Sequence, residues 1–133
     1  MRMKPCLTPD DVLQIAAACR AHGQIIKREP TIAIVDAGGH LLYMERPERN
    51  PVNSVEMASL KAATAALRGR PSGAFAQRVA EKPGFLMMPG CLGVEGGIPL
   101  IYQGECIGGV GVSGIDKDDE PVAIAGAKVF NAD

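Results

Sequence analysis

Nine of the sixteen glycines in this 133-residue chain fall between Gly90 and Gly114. A residue without Cβ lets the backbone adopt positive φ or lets another group approach it closely. Neither use suits a helix interior, where glycine costs about 1 kcal/mol relative to alanine. The stretch therefore reads as turns and thinned strands. Gly90, Gly93, Gly96 and Gly97 punctuate an irregular segment that begins at Pro83, and a ligand is expected to touch the backbone there. Ile98 to Tyr102, a Gln103-Gly104 turn and Cys106 to Val112 follow as a β-hairpin, its second strand thinned by Gly108, Gly109 and Gly111.

Gly109-Val-Gly111-Val-Ser-Gly114 satisfies the pattern G-x-G-x-x-G. A dinucleotide site also needs a helix opening directly on the motif and parallel strands around it. The flanking pattern offers antiparallel hairpins instead. The favoured reading is a strand whose missing side chains admit another backbone, a second subunit or a flat ligand.

The rest of the chain alternates helix and hairpin signals. Thr8, Pro9, Asp10 and Asp11 form a helix start, and Val12, Ile15, Ala16, Cys19 and Gly23 recur at helical spacing toward about Lys27. Thr31 to Val35 is a β-branched run, Asp36 to Gly39 a turn, and His40 to Arg46 a returning strand. Pro47 to Pro51 is a loop. Asn53 or Ser54 caps an alanine-rich second helix carrying Met57, Leu60, Lys61, Thr64 and Leu67. A third helix is expected from Ser72 to about Glu81, and a last one from Asp118 and Asp119. The order α-β-β-α-α-β-β-α implies one α+β domain over residues 1–133, an antiparallel β-sheet flanked by helices.

Charge and composition narrow the function. A net charge of -1 with no Lys/Arg cluster provides no electrostatic footprint for nucleic acid or an acidic membrane surface. No apolar run approaches the roughly 18–20 residues that span a bilayer, and the opening residues lack an apolar signal-peptide core, so the expected location is cytoplasmic. Cys6, Cys19, Cys91 and Cys106 form no CxxC pair; they are expected to be reduced thiols packed as small hydrophobes, with no metal site.

Five ordered blocks carry a family resemblance. They are Ile32-Ala-Ile-Val-Asp36-Ala-Gly-Gly39-His-Leu-Leu with Arg46, then Lys61-Ala-Ala-Thr-Ala65, then Glu95-Gly-Gly97-Ile-Pro99, then Ile107-Gly-Gly-Val-Gly111-Val-Ser-Gly114, and Asp118 with Ala125-Gly126. From about residue 8 onward the chain resembles the GlcG/HbpS family of haem-binding-type domains, related to the C-terminal domain of PduO proteins. The resemblance implies a profilin-like or PAS-like fold, binding of haem or a related tetrapyrrole, and a homo-oligomer. Other members sit beside glycolate, diol or aromatic catabolism. One departure stands out: the family usually shows an Asp-Gly pair after Arg46, where this chain has Glu48-Arg49-Asn50 between prolines.

Candidate site residues follow from residue chemistry. Haem iron takes an imidazole, thiolate or thioether, which selects His22 on the buried stripe of the first helix and His40 beside the hairpin turn as cofactor contacts. Lys61, on an alanine-rich helical face, is either a desolvated base or carboxylate anchor, or a surface lysine whose stem covers alanines. Glu95, next to two glycine amides, is a candidate acid or base. Arg46, Gly96, Gly97 and Ser113 complete the expected ligand-binding set, in a cleft between the Gly90 to Pro99 segment, the Arg46 loop and the second helix. Three readings follow: a haem-type or other small-molecule-binding domain; an enzyme of organic-acid or aromatic catabolism using Lys61, Glu95 or Arg46 for proton transfer and carboxylate capture; or a non-catalytic oligomeric accessory subunit.

Overall fold

Thr8 caps the first helix reciprocally: its hydroxyl accepts from the Asp11 N–H, and the Asp11 carboxylate accepts from the Thr8 N–H at 2.8 Å. In the computed structural model, which describes residues 1–131, this helix α1 spans Pro9–Ile25. The first hairpin follows as β1 (Thr31–Asp36) and β2 (Leu41–Glu45). Helices α2 (Ser54–Arg68) and α3 (Ala74–Glu81) come next, with a short 3₁₀ turn at Pro83–Met87. The second hairpin is β3 (Gly97–Tyr102) and β4 (Glu105–Ser113), joined by Gln103 and Gly104, both at positive φ, the conformation that matches the right-handed strand twist. A 3₁₀ turn at Asp116–Asp118 leads into α4 (Asp119–Ala127).

The four strands form one sheet in the order β2-β1-β4-β3, antiparallel throughout. The α+β order expected from the sequence is the one observed. Helix boundaries differ by one or two residues: α1 stops before Lys27, and α3 starts at Ala74 because Ser72 is held by other bonds.

Strand periodicity sorts the two faces of the sheet. Ile32 and Ile34 of β1 and Val110 and Val112 of β4 point into an aliphatic layer with Ile15, Cys19, Leu100 and Val122, covered by α1 and α4. The alternate residues, Ala33 and Val35, face α2 and meet Ala58, Ala62 and Ala66. On β4 the positions between the valines are Gly109 and Gly111. A Cβ at Gly111 would collide with the Ala58 carbonyl oxygen, one at Gly109 with that of Ala62, and one at Gly97 on β3 with that of Lys61. The glycine motif is thus the bed of a helix in the same chain. Its role as a subunit-docking strand, one of the sequence expectations, is displaced, since α2 already occupies that face.

The four cysteines are free. Cys19 fits the expectation of a packed small hydrophobe, and burial pushes its thiol up to about 12. Cys6 is exposed, which corrects that expectation for it.

Gly111→Ala should lose about 1–3 kcal/mol of stability, because the helix backbone cannot yield as a side chain can. Gly84→Ala, where an added Cβ meets nothing within 4 Å, should stay within about 0.5 kcal/mol. Urea unfolding of the two variants beside the parent checks the contrast.

Candidate functional site

Lys61 is carried by α2 with its carbonyl against Gly97 and its side chain under Gly96. It is only 2% exposed. Its Nζ donates to Asp119 Oδ2 at 2.9 Å and to the Val112 carbonyl at 3.1 Å. Asp119 opens α4, is itself buried, and accepts through Oδ1 from the Ile115 N–H at 3.0 Å. A buried carboxylate and ammonium are tolerated when paired and hydrogen-bonded in this way. Both alternatives set out for Lys61 are therefore altered. It is no surface lysine, and its nitrogen is engaged by a carboxylate and a carbonyl rather than left free in the cleft.

The segment above Lys61 is held by α2 and by Ser72. Gly96 takes φ +130, and its carbonyl accepts from the Val112 N–H at 2.9 Å. Gly97 N–H donates to Ser72 Oγ at 2.8 Å, while the Ser72 hydroxyl donates to the Val94 carbonyl at 2.6 Å. Thr64 of α2 accepts from the Leu92 N–H at 2.7 Å. Paired glycines here combine positive φ at Gly96 with close backbone approach at Gly97, the two causes the sequence pattern left open.

A cleft of about 640 Å³ opens between this segment, the start of α2 and the end of β4. Met57, Lys61, Val94, Glu95, Ser113 and Asp119 line it, with Pro51, Asp116 and Lys117 nearer the mouth. Ser113 is buried, and its hydroxyl makes no hydrogen bond among the described residues, so it is available to a ligand. Glu95 is exposed at the rim. Burial, and then the Glu95 charge, raise the Glu120 carboxyl above its ordinary value.

Four of the expected site residues thus come together in one place: Lys61, Glu95, Gly96 and Ser113, with Gly97 beneath them. The others do not. Arg46 lies in a separate recess with Arg20 and Arg28, and its Nη1 donates to the Asn50 carbonyl at 2.8 Å. His22 is half-buried in the last turn of α1, and His40 is exposed with Nδ1 3.3 Å from Asp36 Oδ1; neither lines the cleft. Asp119 and Met57 were not anticipated. Asp119 lies 58 residues from Lys61, and its only local signal is an acid at the start of a helix.

Comparison with known proteins comes last. A family model described as "Haem degrading protein HbpS-like" matches residues 7–128. Protein GlcG of Escherichia coli strain K12 is 34% identical over 114 residues, 85% of each chain. A double mutant of Streptomyces reticuli HbpS superposes with a TM-score of 0.90 at 30% identity, covering 99% of this chain and 92% of that one. The structure of a PduOC:heme complex superposes with a TM-score of 0.83 at 25% identity over 96% of both chains.

Two outcomes check the electrostatics of the cleft. Lys61→Met strands Asp119 as a buried, unpaired charge, so it should cost about 3–5 kcal/mol, against less than about 0.5 for a solvated lysine. Adding Asp119→Leu should recover part of that loss in a denaturant titration. A carboxyl whose pKa is higher folded than unfolded binds its proton more tightly in the folded state. Its contribution to stability therefore falls as pH rises from the ordinary glutamate value of about 4.3 through the raised one. Glu120→Gln should accordingly raise the melting temperature at neutral pH, and the gain should shrink as pH falls through that window and be gone below about 4.

Proposed function

The chain belongs to the HbpS-like family, and from that membership we propose that it is a binding domain for haem or a related tetrapyrrole, with the Lys61-Glu95-Ser113 cleft as its site. The observation that supports this most is the likeness to the PduOC:heme complex over 96% of the chain, together with a cleft of about 640 Å³ on a rigid floor. That volume lies within the usual range for ligand pockets, roughly 300–1,000 Å³.

The donor set in the cleft can be weighed against haem. Met57 supplies a thioether, one of the ligands haem iron accepts, and among the described residues it is the one sulfur or imidazole side chain in the lining. The two lysines, Lys61 and Lys117, stand against three acids, Glu95, Asp116 and Asp119. A ring bearing carboxylates would then direct them toward Lys117 and the mouth, away from Glu95. The iron, when bound, would supply redox chemistry; the protein would exclude water from one ring face and offer the Ser113 hydroxyl as a hydrogen-bond partner.

The enzyme reading would rest chiefly on Glu95 for proton transfer, because the Lys61 nitrogen is engaged by Asp119 and the Val112 carbonyl. An oligomer stays within the proposal, although its surface must lie away from the glycine strand. The exposed Leu41 and Leu42 of the edge strand β2 are available for it. Light scattering that returns a monomer of 13.9 kDa at working concentration would remove that part.

Titration with haemin should give a saturable Soret shift that Met57→Ala weakens at least tenfold. His22→Ala and His40→Ala should leave it unchanged. A spectrum equal to that of haemin with an inert protein would overturn the haem reading; loss of binding in a histidine variant alone would move the site away from the cleft.

A further inference from the structure

A second recess, of about 430 Å³, lies where α1, the approach to β1 and the end of β2 meet. It shares no lining residue with the cleft described above. Three guanidinium groups reach it from three elements: Arg20 from α1, Arg28 from the connection to β1, and Arg46 from the end of β2.

Each arginine is tethered through Nη1. Arg20 Nη1 donates to Glu45 Oε1 at 2.6 Å and to the Tyr43 hydroxyl at 3.1 Å. Arg28 Nη1 donates to Asp118 Oδ2 at 2.9 Å. Arg46 Nη1 donates to the Asn50 carbonyl at 2.8 Å. Burial and the Glu45 carboxylate push the Tyr43 hydroxyl up, so it stays a donor and hydrogen-bonds Glu45 at 2.6 Å. One fixed nitrogen orients a planar guanidinium, and a guanidinium has five N–H donors. Among the described residues, no protein acceptor meets Nε or Nη2 of any of the three, so oriented donors are left over.

The charges around the recess also matter. Glu45 answers Arg20 and Asp118 answers Arg28, whereas Arg46 meets only a neutral carbonyl. Arg46 is therefore the one arginine of the three with no carboxylate partner among the described residues, and Glu29 lines the recess with it. Pro30, Pro47 and the arginine stems supply apolar surface next to those donors.

We propose that this recess binds a small organic monocarboxylate, with the two carboxylate oxygens on the free edge of Arg46 and the apolar body against Pro30 and Pro47. A carboxylate matches the two-pronged donor edge of arginine. The carboxylates of Glu29 and Glu45 oppose a second negative charge, which disfavours a phosphate dianion. The site is independent of the tetrapyrrole reading, because the two pockets have no residue in common.

Benzoate is the probe, followed by ¹H–¹⁵N NMR with the arginine Nε–H signals included. Saturable shifts are expected at Arg20, Arg28 and Arg46, with none from benzyl alcohol, the neutral analogue. Arg46→Gln should weaken benzoate at least tenfold without lowering the melting temperature, since Arg46 is exposed and tethered by one bond. Arg46→Lys should fall between the two. Saturating haemin should leave benzoate affinity unchanged. Absence of saturable shifts, equal binding by benzyl alcohol, or full affinity in Arg46→Gln would overturn the site. Tighter binding of inorganic phosphate would overturn the ligand class, and displacement of benzoate by haemin would show that the recess is part of the tetrapyrrole site and overturn its independence.

Discussion

The contact on which the rest of the molecule depends is close backbone approach, α2 lying on β3 and β4 with glycines on the sheet side and only small side chains between. Gly97, Gly109 and Gly111 remove the three Cβ atoms that would keep the helix off the sheet. Alanines at 58, 62 and 66 remove most of the bulk from the other side. Such an interface buries little apolar area per residue, so its stability comes from tight packing, and dispersion in a close-packed interior falls off steeply with small gaps. The larger aliphatic side chains are kept for the opposite face of the sheet, under α1 and α4.

The same contact builds the site. Only a helix this close to the sheet can pass a lysine beneath Gly96 to reach the Val112 carbonyl and Asp119. The pair then ties α2 to the start of α4, two elements on opposite faces of the sheet. The cleft floor is thus made of regular elements and a satisfied ion pair, whereas its rim, at Glu95 and Lys117, is exposed. Rigid support beneath and adaptable groups above is an arrangement suited to binding.

Much of this was legible in the residues. Proline and glycine punctuation, the Thr8 cap and period-two runs located the four α-helices and four strands, most of their ends to within a residue or two, because those signals act locally. The G-x-G spacing showed that β4 was thinned, but not for whom: an interior helix, a subunit and a flat ligand ask the same thing of a strand. Lys61, Glu95, Gly96 and Ser113 could be grouped through family blocks. Asp119 could not be paired with Lys61, since a tertiary ion pair leaves no periodic trace. Arg46 lies outside the cleft for a related reason: its side chain, held to the Asn50 carbonyl, lines the recess with Pro47, while only the far end of the same loop, Pro51, reaches the cleft. His22 looked buried by helical spacing, yet the last turn of α1 leaves it half open.

The central claim is that the ligand of this domain sits on the Lys61-Asp119 floor, and paramagnetic broadening of backbone amide signals tests it most directly. Ferric haemin, compared with zinc protoporphyrin as the diamagnetic control, should broaden the signals of Met57, Glu95 and Ser113 selectively. Broadening centred on His22, His40 or Arg46, with those three signals unchanged, would contradict the account.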